Sequence, residues 1–233
     1  MPDLWYPVSG GTGRGYLAVP AGDGPWPGVL VIHEAFGLNA DIRKHADRLA
    51  AAGYLAFAPD LLGGKPWMRC VLGTFRQLKA QSGPAFSVID AARSWLAARG
   101  DCAGRTGVIG FCVGGAFALL CAPRGGFSVA SVNYGVVPRD AESVLAGSCP
   151  IVASYGARDL MGTKHPERLE RALVVREVPH DVKLYRWAGH RFMSETTGLA
   201  TPLARIARLA YDEDAAADSW RRILAFFGEH LPA

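Results

Sequence analysis

Residues 108 to 115 read Val-Ile-Gly-Phe-Cys-Val-Gly-Gly, and the chain runs on through Ala116-Phe117-Ala118-Leu119-Leu120. An apolar run, a glycine-flanked cysteine and a second apolar run predict a buried strand, a tight turn and a helix. Several chemistries use that arrangement. In a dinucleotide loop, Gly110 and Gly115 would fill the first and third glycine places of G-x-G-x-x-G. Cys112 then occupies the middle place, where a side chain blocks the approach of a pyrophosphate to the backbone. The acid that should bind a ribose about 20 residues later is also missing, because the next strand ends at Asn133. The nucleotide reading is set aside.

The second reading is an elbow presenting a nucleophile, Gly110-Phe111-Cys112-Val113-Gly114. Small residues must flank such a nucleophile, because it sits in a strained strand-to-helix turn. The helix behind it points backbone N–H groups and the positive end of its dipole at the sulfur. The third reading makes Cys112 a buried structural thiol, as for Cys70, Cys102, Cys121 and Cys149, since free cysteine is among the most buried residue types. The motif alone leaves these two open.

An elbow nucleophile needs an acid and then a histidine, each in a loop after a later strand. The predicted strand Ile151 to Tyr155 is followed by Gly-Ala-Arg and Asp159, and Val182 to Trp187 by Ala-Gly and His190. Both fall in the required order. The remaining histidines are read more simply: His45 on a helix, His165 and His180 in loops, His230 near the end. His33-Glu34 is not H-E-x-x-H, because Gly37 stands at the second histidine, so no metal site is expected.

Further strands are predicted at Tyr16 to Val19, Val29 to His33, Tyr54 to Ala58, Thr106 to Gly110 and Ser128 to Asn133. Most are apolar on both sides, as strands between two helical layers should be. Helices lie between them: one capped at Asn39 or Asp41 and stopped at Gly53, one opened by Ser82-Gly83-Pro84 and stopped at Gly100, one after the cysteine turn. A last one carries Trp220, Ile223, Leu224 and Phe227 on a single face. Alternation of strand and helix implies an α/β fold with a mostly parallel central sheet and helices on both faces, built as a single domain over 1–233. Residues 61 to 83 and 194 to 214 have weak periodicity and are expected to form loops over the site, the second a possible cap.

The net charge of +4, from 25 basic and 21 acidic residues, is not gathered into a stripe, so nucleic acid is not an expected partner. No apolar run approaches the roughly 18 residues of a membrane span, and no secretory leader is evident. Five cysteines without a CxxC pair predict free thiols. A cytoplasmic protein, monomeric or a small homo-oligomer, is expected.

HEAFGL (33–38), APDL (58–61), GFCVGG (110–115), NYG (133–135), YGARD (155–159) and AGHRF (188–192) together resemble the dienelactone hydrolase, or carboxymethylenebutenolidase, family of the α/β-hydrolase fold. The likeness runs from about Tyr16 to Phe227. It implies a Cys112, His190, Asp159 triad that cleaves an enol lactone through an acyl-thioester, without a cofactor. It implies an oxyanion hole from the backbone N–H groups of Ala35 and Val113, and a Glu34 that contacts the resting thiol and moves when an anionic ester or lactone binds. In the family arginines hold the substrate carboxylate. Arg69 aligns with one, whereas Ser194 stands where the second is expected and Arg191 is a weak substitute. Phe36 and Tyr134, with Trp67, Met68 and Phe192, are expected to line the pocket. A broader carboxylesterase or thioesterase, a carboxylate-binding protein and a thiol sensor are the alternatives.

Overall fold

A computed structural model describes residues 3–63, 67–195 and 211–232, with backbone only at 67–72. Eight strands form one sheet: β1 (Asp3–Val8), β2 (Gly11–Ala18), β3 (Trp26–Ile32), β4 (Leu55–Pro59), β5 (Cys102–Phe111), β6 (Val129–Asn133), β7 (Ile151–Gly156) and β8 (His180–Tyr185). Their order is β1-β2-β4-β3-β5-β6-β7-β8. β2 pairs antiparallel with β1 and β4, and every pairing from β4 through β8 is parallel.

The helices are α1 (Ala40–Ala51), α2 (Trp67–Ala80), α3 (Pro84–Ala97), α4 (Val113–Cys121), the short α5 (Ala141–Val144), α6 (His165–Val175) and α7 (Glu213–His230). α1 begins where Asn39 accepts the N–H of Ile42 at 3.1 Å, and the chain turns out of it at Gly53 with φ +92°. α3 has Pro84 at its first position and no side-chain cap on Gly83; Gln77 of α2 reaches across instead, accepting the N–H of Ala85 at 2.7 Å.

Strand alternation divides the core. Leu30 and Ile32 of β3 face α3 and α4 and belong to one cluster with Phe57, Phe86, Ile89 and Phe117, which extends to Leu169 of α6. Their neighbours Val29 and Val31 face α1 and α7, packing with Ile42, Leu49, Trp220, Ile223 and Phe227. Burying each such side chain stabilises the fold by roughly 1.5–3 kcal/mol. The inner parallel strands β3, β4, β6 and β7 are covered on both faces and buried along almost their whole length, which made them visible in the sequence, whereas the edge strand β8 (HDVKLY) is mostly half-buried or exposed.

Several elements depart from expectation. The stretch 61–83, expected to form a loop, contains α2, whose described side chains from Gly73 to Ala80 include the exposed Phe75 and none that is fully buried. The edge strand β1 and the helix α6 are further elements that no sequence expectation named, although α6 buries Pro166, Leu169, Ala172 and Leu173 on one face, and His165 and His180 begin α6 and β8 rather than lying in loops. Of the possible cap at 194–214, residues 196–210 lie outside the described residues.

Candidate functional site

The site gathers at the carboxyl ends of the parallel strands: Glu34 and Ala35 after β3, Cys112 after β5, Tyr134 after β6, Asp159 after β7 and His190 after β8. Open α/β sheets place ligands at this edge, because the strands all deliver their loops there.

Cys112 has φ 55° and ψ −118° and is followed at once by α4. A non-glycine residue in this region costs on the order of 1–3 kcal/mol, so the surroundings must impose it. They do so by contact: a Cβ on Gly110 would strike the carbonyl of Gly114, and one on Gly114 would strike the carbonyl of Ile32. Asn133 braces the turn, its carbonyl accepting the Cys112 N–H at 3.0 Å and its side-chain amide donating to the Gly110 carbonyl at 3.2 Å. Cys102, Cys121 and Cys149 are free thiols, and burial pushes those of Cys121 and Cys149 up to about 12. Cys112 is half-buried, and its sulfur lies 3.1 Å from His190 Nε2.

His190 Nδ1 lies 2.6 Å from Asp159 Oδ2, and Asp159 Oδ1 accepts the N–H of Met161 at 2.8 Å. The two loops are stitched together by the Arg158 N–H, which donates to the Ala188 carbonyl at 2.9 Å. Burial opposes a charge on His190, but its hydrogen bonds to Asp159 and Cys112 prevail and push the imidazole up to about 10. Burial likewise opposes the Asp159 carboxylate, and the hydrogen bond from His190 overrides it, holding the acid below its ordinary value. The ring of Tyr134 meets that of His190 edge to face at 5.2 Å.

Glu34 departs from the expected contact with the thiol. Its Oε2 is 2.6 Å from both Nε and an amino nitrogen of Arg191, and its Oε1 accepts from Ser194 Oγ at 2.9 Å and Tyr134 Oη at 3.4 Å. Both oxygens are thus taken up away from the sulfur. Arg191 also departs from its expected part in substrate binding: only 5% exposed, with its guanidinium on Glu34 and 4.0 Å from Asp41, it is built into the wall. A left-handed backbone at φ 62° turns Arg191 to this side while its neighbour His190 faces Asp159. Tyr134 is buried as well, and its hydroxyl serves Glu34. Phe36 is 43% exposed, with the Arg191 guanidinium 4.9 Å from its ring centre. The Arg69 side chain, like those of Trp67 and Met68, lies outside the described residues.

Ala35 and Val113 border one cavity of about 270 Å³, whose walls include Leu61, Leu62, Phe75, Val88 and Phe117. Val113 is the first residue of α4, so its N–H has no partner within the helix. Sequence reasoning missed the part played by Ser194 on Glu34, and that of Asn133 behind the elbow. Ser194 carried no local signal, whereas Asn133 lay within the NYG motif. Among the described residues, no three His, Cys, Asp or Glu side chains come together as a metal site, and no helix is long and apolar enough to cross a membrane.

This sheet order, with a tight glycine-flanked turn from β5 into α4, is that of the α/β-hydrolase fold. Residues 14–231 match the model of the dienelactone hydrolase family, and the chain belongs to that family of lactone and ester hydrolases. It is 30% identical to a Salmonella typhimurium protein named "Putative carboxymethylenebutenolidase", over 96% of this chain and 85% of that one. The crystal structure of the dienelactone hydrolase-like promiscuous phosphotriesterase P91, from metagenomic libraries, superposes with a TM-score of 0.80 at 25% identity, over 98% of this chain and 97% of that one. A dienelactone hydrolase from Anabaena variabilis shares the fold, with a TM-score of 0.74 at 20% identity, over 99% and 97% of the two chains.

Proposed function

We propose that this chain hydrolyses an enol lactone such as dienelactone, or a closely related activated ester, with Cys112 as nucleophile, His190 as base and then acid, and Asp159 as the group that orients His190. The observation that carries the reading is the unbroken line from Asp159 through His190 to the Cys112 sulfur, at 2.6 and 3.1 Å. A thiolate, not a thiol, attacks carbonyls. Cys112 gives its proton to His190 Nε2, which the buried Asp159 holds in the right tautomer and stabilises once charged.

The sulfur then bonds to the lactone carbonyl carbon, and the carbonyl oxygen takes up negative charge opposite the N–H groups of Ala35 and Val113. As the ring C–O bond breaks, the leaving enolate takes the proton from His190. Water, deprotonated by His190, hydrolyses the acyl-thioester and returns the thiol. Because Glu34 is already held by Arg191 and Ser194, His190 alone serves the sulfur before substrate arrives. The apolar cavity beside Ala35 and Val113 takes the hydrocarbon part of the substrate.

The test is turnover of purified cis- and trans-dienelactone, followed by loss of the conjugated absorbance, with wild type beside Cys112→Ala. Turnover abolished in the variant supports the reading, and equal turnover by both proteins refutes the nucleophile. Occupation of Arg191 by Glu34 favours a second reading, a broader carboxylesterase or thioesterase with no need of an anionic substrate. Equal kcat/KM for a carboxylated lactone and its neutral methyl ester would select it.

A further inference from the structure

His33 is the residue after the last strand position of β3 and is 2% exposed, yet neither the triad nor the Glu34 ion pair uses it. Its Nε2 lies 3.0 Å from the backbone nitrogen of Leu61, and its Nδ1 lies 2.6 Å from the carbonyl oxygen of Glu34. A backbone N–H can only donate, so Nε2 is the accepting nitrogen. The single proton of the neutral ring therefore sits on Nδ1 and is donated to Glu34 O. Burial holds the imidazole below its ordinary value, which keeps it in this neutral form.

The Glu34 carbonyl shares one planar peptide unit with the N–H of Ala35, and in a trans peptide the two point in opposite directions. Whatever fixes the carbonyl therefore aims the N–H. Two donors fix it, His33 Nδ1 and the Gly37 N–H at 3.1 Å. On the other side, the carbonyl of His33 lies against Gly114 of the elbow, which keeps this strand end beside Val113.

We infer that His33 is a positioning residue for the oxyanion hole, locking the Glu34–Ala35 peptide so that the Ala35 N–H faces the oxygen developing on a substrate bound to Cys112. The inference rests on the Cys112 acyl-transfer reading above. His33 also lines the cavity beside Ala35 and Val113, but it acts through the peptide it holds. Its effect belongs to the charged tetrahedral species, so it appears in kcat more than in KM.

The experiment compares two reactions of the same sulfur. Acyl transfer from p-nitrophenyl acetate passes through an oxyanion, whereas alkylation of Cys112 by iodoacetamide does not. His33→Ala should lower the acylation rate by roughly 10²- to 10³-fold, the loss seen when one oxyanion donor is removed, with KM nearly unchanged and alkylation at the wild-type rate. His33→Asn, whose side-chain N–H falls near the Nδ1 position, should recover most of the loss. Should the alanine variant fail to fold, His33→Asn against His33→Gln carries the comparison, because the longer amide falls near Nε2 and leaves the Glu34 carbonyl unheld. Wild-type acylation in His33→Ala, or in His33→Gln, overturns the inference, as does a parallel fall in alkylation, which would mean that His33 acts on the thiol. Loss of acyl transfer from the wild-type protein itself, or its persistence in Cys112→Ala, refutes the acyl-transfer reading instead and takes this inference with it.

Discussion

His190 and Arg191 are adjacent in sequence, and each meets a buried carboxylate at 2.6 Å, yet the two pairs behave in opposite ways. Imidazole gains and loses a proton within the ordinary range of pH, so the Asp159–His190 pair can pass charge to and from the sulfur. A guanidinium keeps its protons, so Arg191 can only donate to Glu34, with Ser194 and Tyr134 completing the carboxylate's hydrogen bonds. One carboxylate is met by a group that can exchange a proton and the other by a group that cannot. The difference teaches that a carboxylate near a thiol need not be part of its chemistry. What decides is whether its partner can release a proton.

That contrast can be broken most severely from the fixed side. Arg191→Met leaves Glu34 buried with only neutral hydrogen-bond donors, and the loss of one partner from a buried ion pair costs roughly 3–5 kcal/mol. Urea denaturation should show this as a large fall in midpoint, and a loss below about 1 kcal/mol would mean that the pair is dispensable.

The exchanging side is sharpened by pH. His190 binds its proton more tightly in the folded state, at about 10 against an ordinary 6.5, so the stabilisation it gives is complete below the ordinary value and is lost as pH rises through about 10. Asp159 has the opposite sign: its carboxyl is held below the ordinary 3.8, so its contribution is present above that value and disappears on acidification. Melting temperature should therefore decline between about pH 7 and 10, by a few kcal/mol of stability at most. Asp159→Asn should flatten that alkaline slope. An unchanged slope would separate His190 from Asp159 energetically.

The smallest effect is expected from Ser194→Ala, which removes one hydrogen bond to Glu34 and costs about 1 kcal/mol. Ester turnover should stay near wild type. Combined with Arg191→Met, its cost should depart from additivity, because both groups serve one carboxylate. A tenfold loss of turnover in the serine variant would instead tie the fixed pair to the reaction.

The fold was legible where physics leaves a local mark. Buried parallel strands are apolar on both faces, glycines surround the elbow because any Cβ there would meet backbone, and Asn39 and Pro84 announce helix starts. The line Cys112, Asp159, His190 was readable because each residue follows a strand end in the order an elbow requires. α2 was not readable, since its described positions bury little, and β1 lies at the sheet edge with mixed burial. The Glu34–Arg191 pair was hidden for another reason: 157 positions separate its members, and nothing in either neighbourhood marks the other. His33 was equally silent, because its two partners are backbone groups that every residue possesses.

The left-handed backbone also reaches beyond the reaction. Among the described residues other than glycine, Gln81, Cys112, Tyr134, Glu177 and Arg191 adopt positive φ, and three of the five bear side chains of the site. Each is strained by roughly 1–3 kcal/mol, which a glycine would relieve. At Gln81 and Glu177, which follow helices, that exchange asks little in return. At the other three it would trade a tauter backbone for a missing sulfur, phenol or guanidinium, so an engineer ranking substitutions by backbone comfort alone would be led to dismantle the enzyme while improving its statistics.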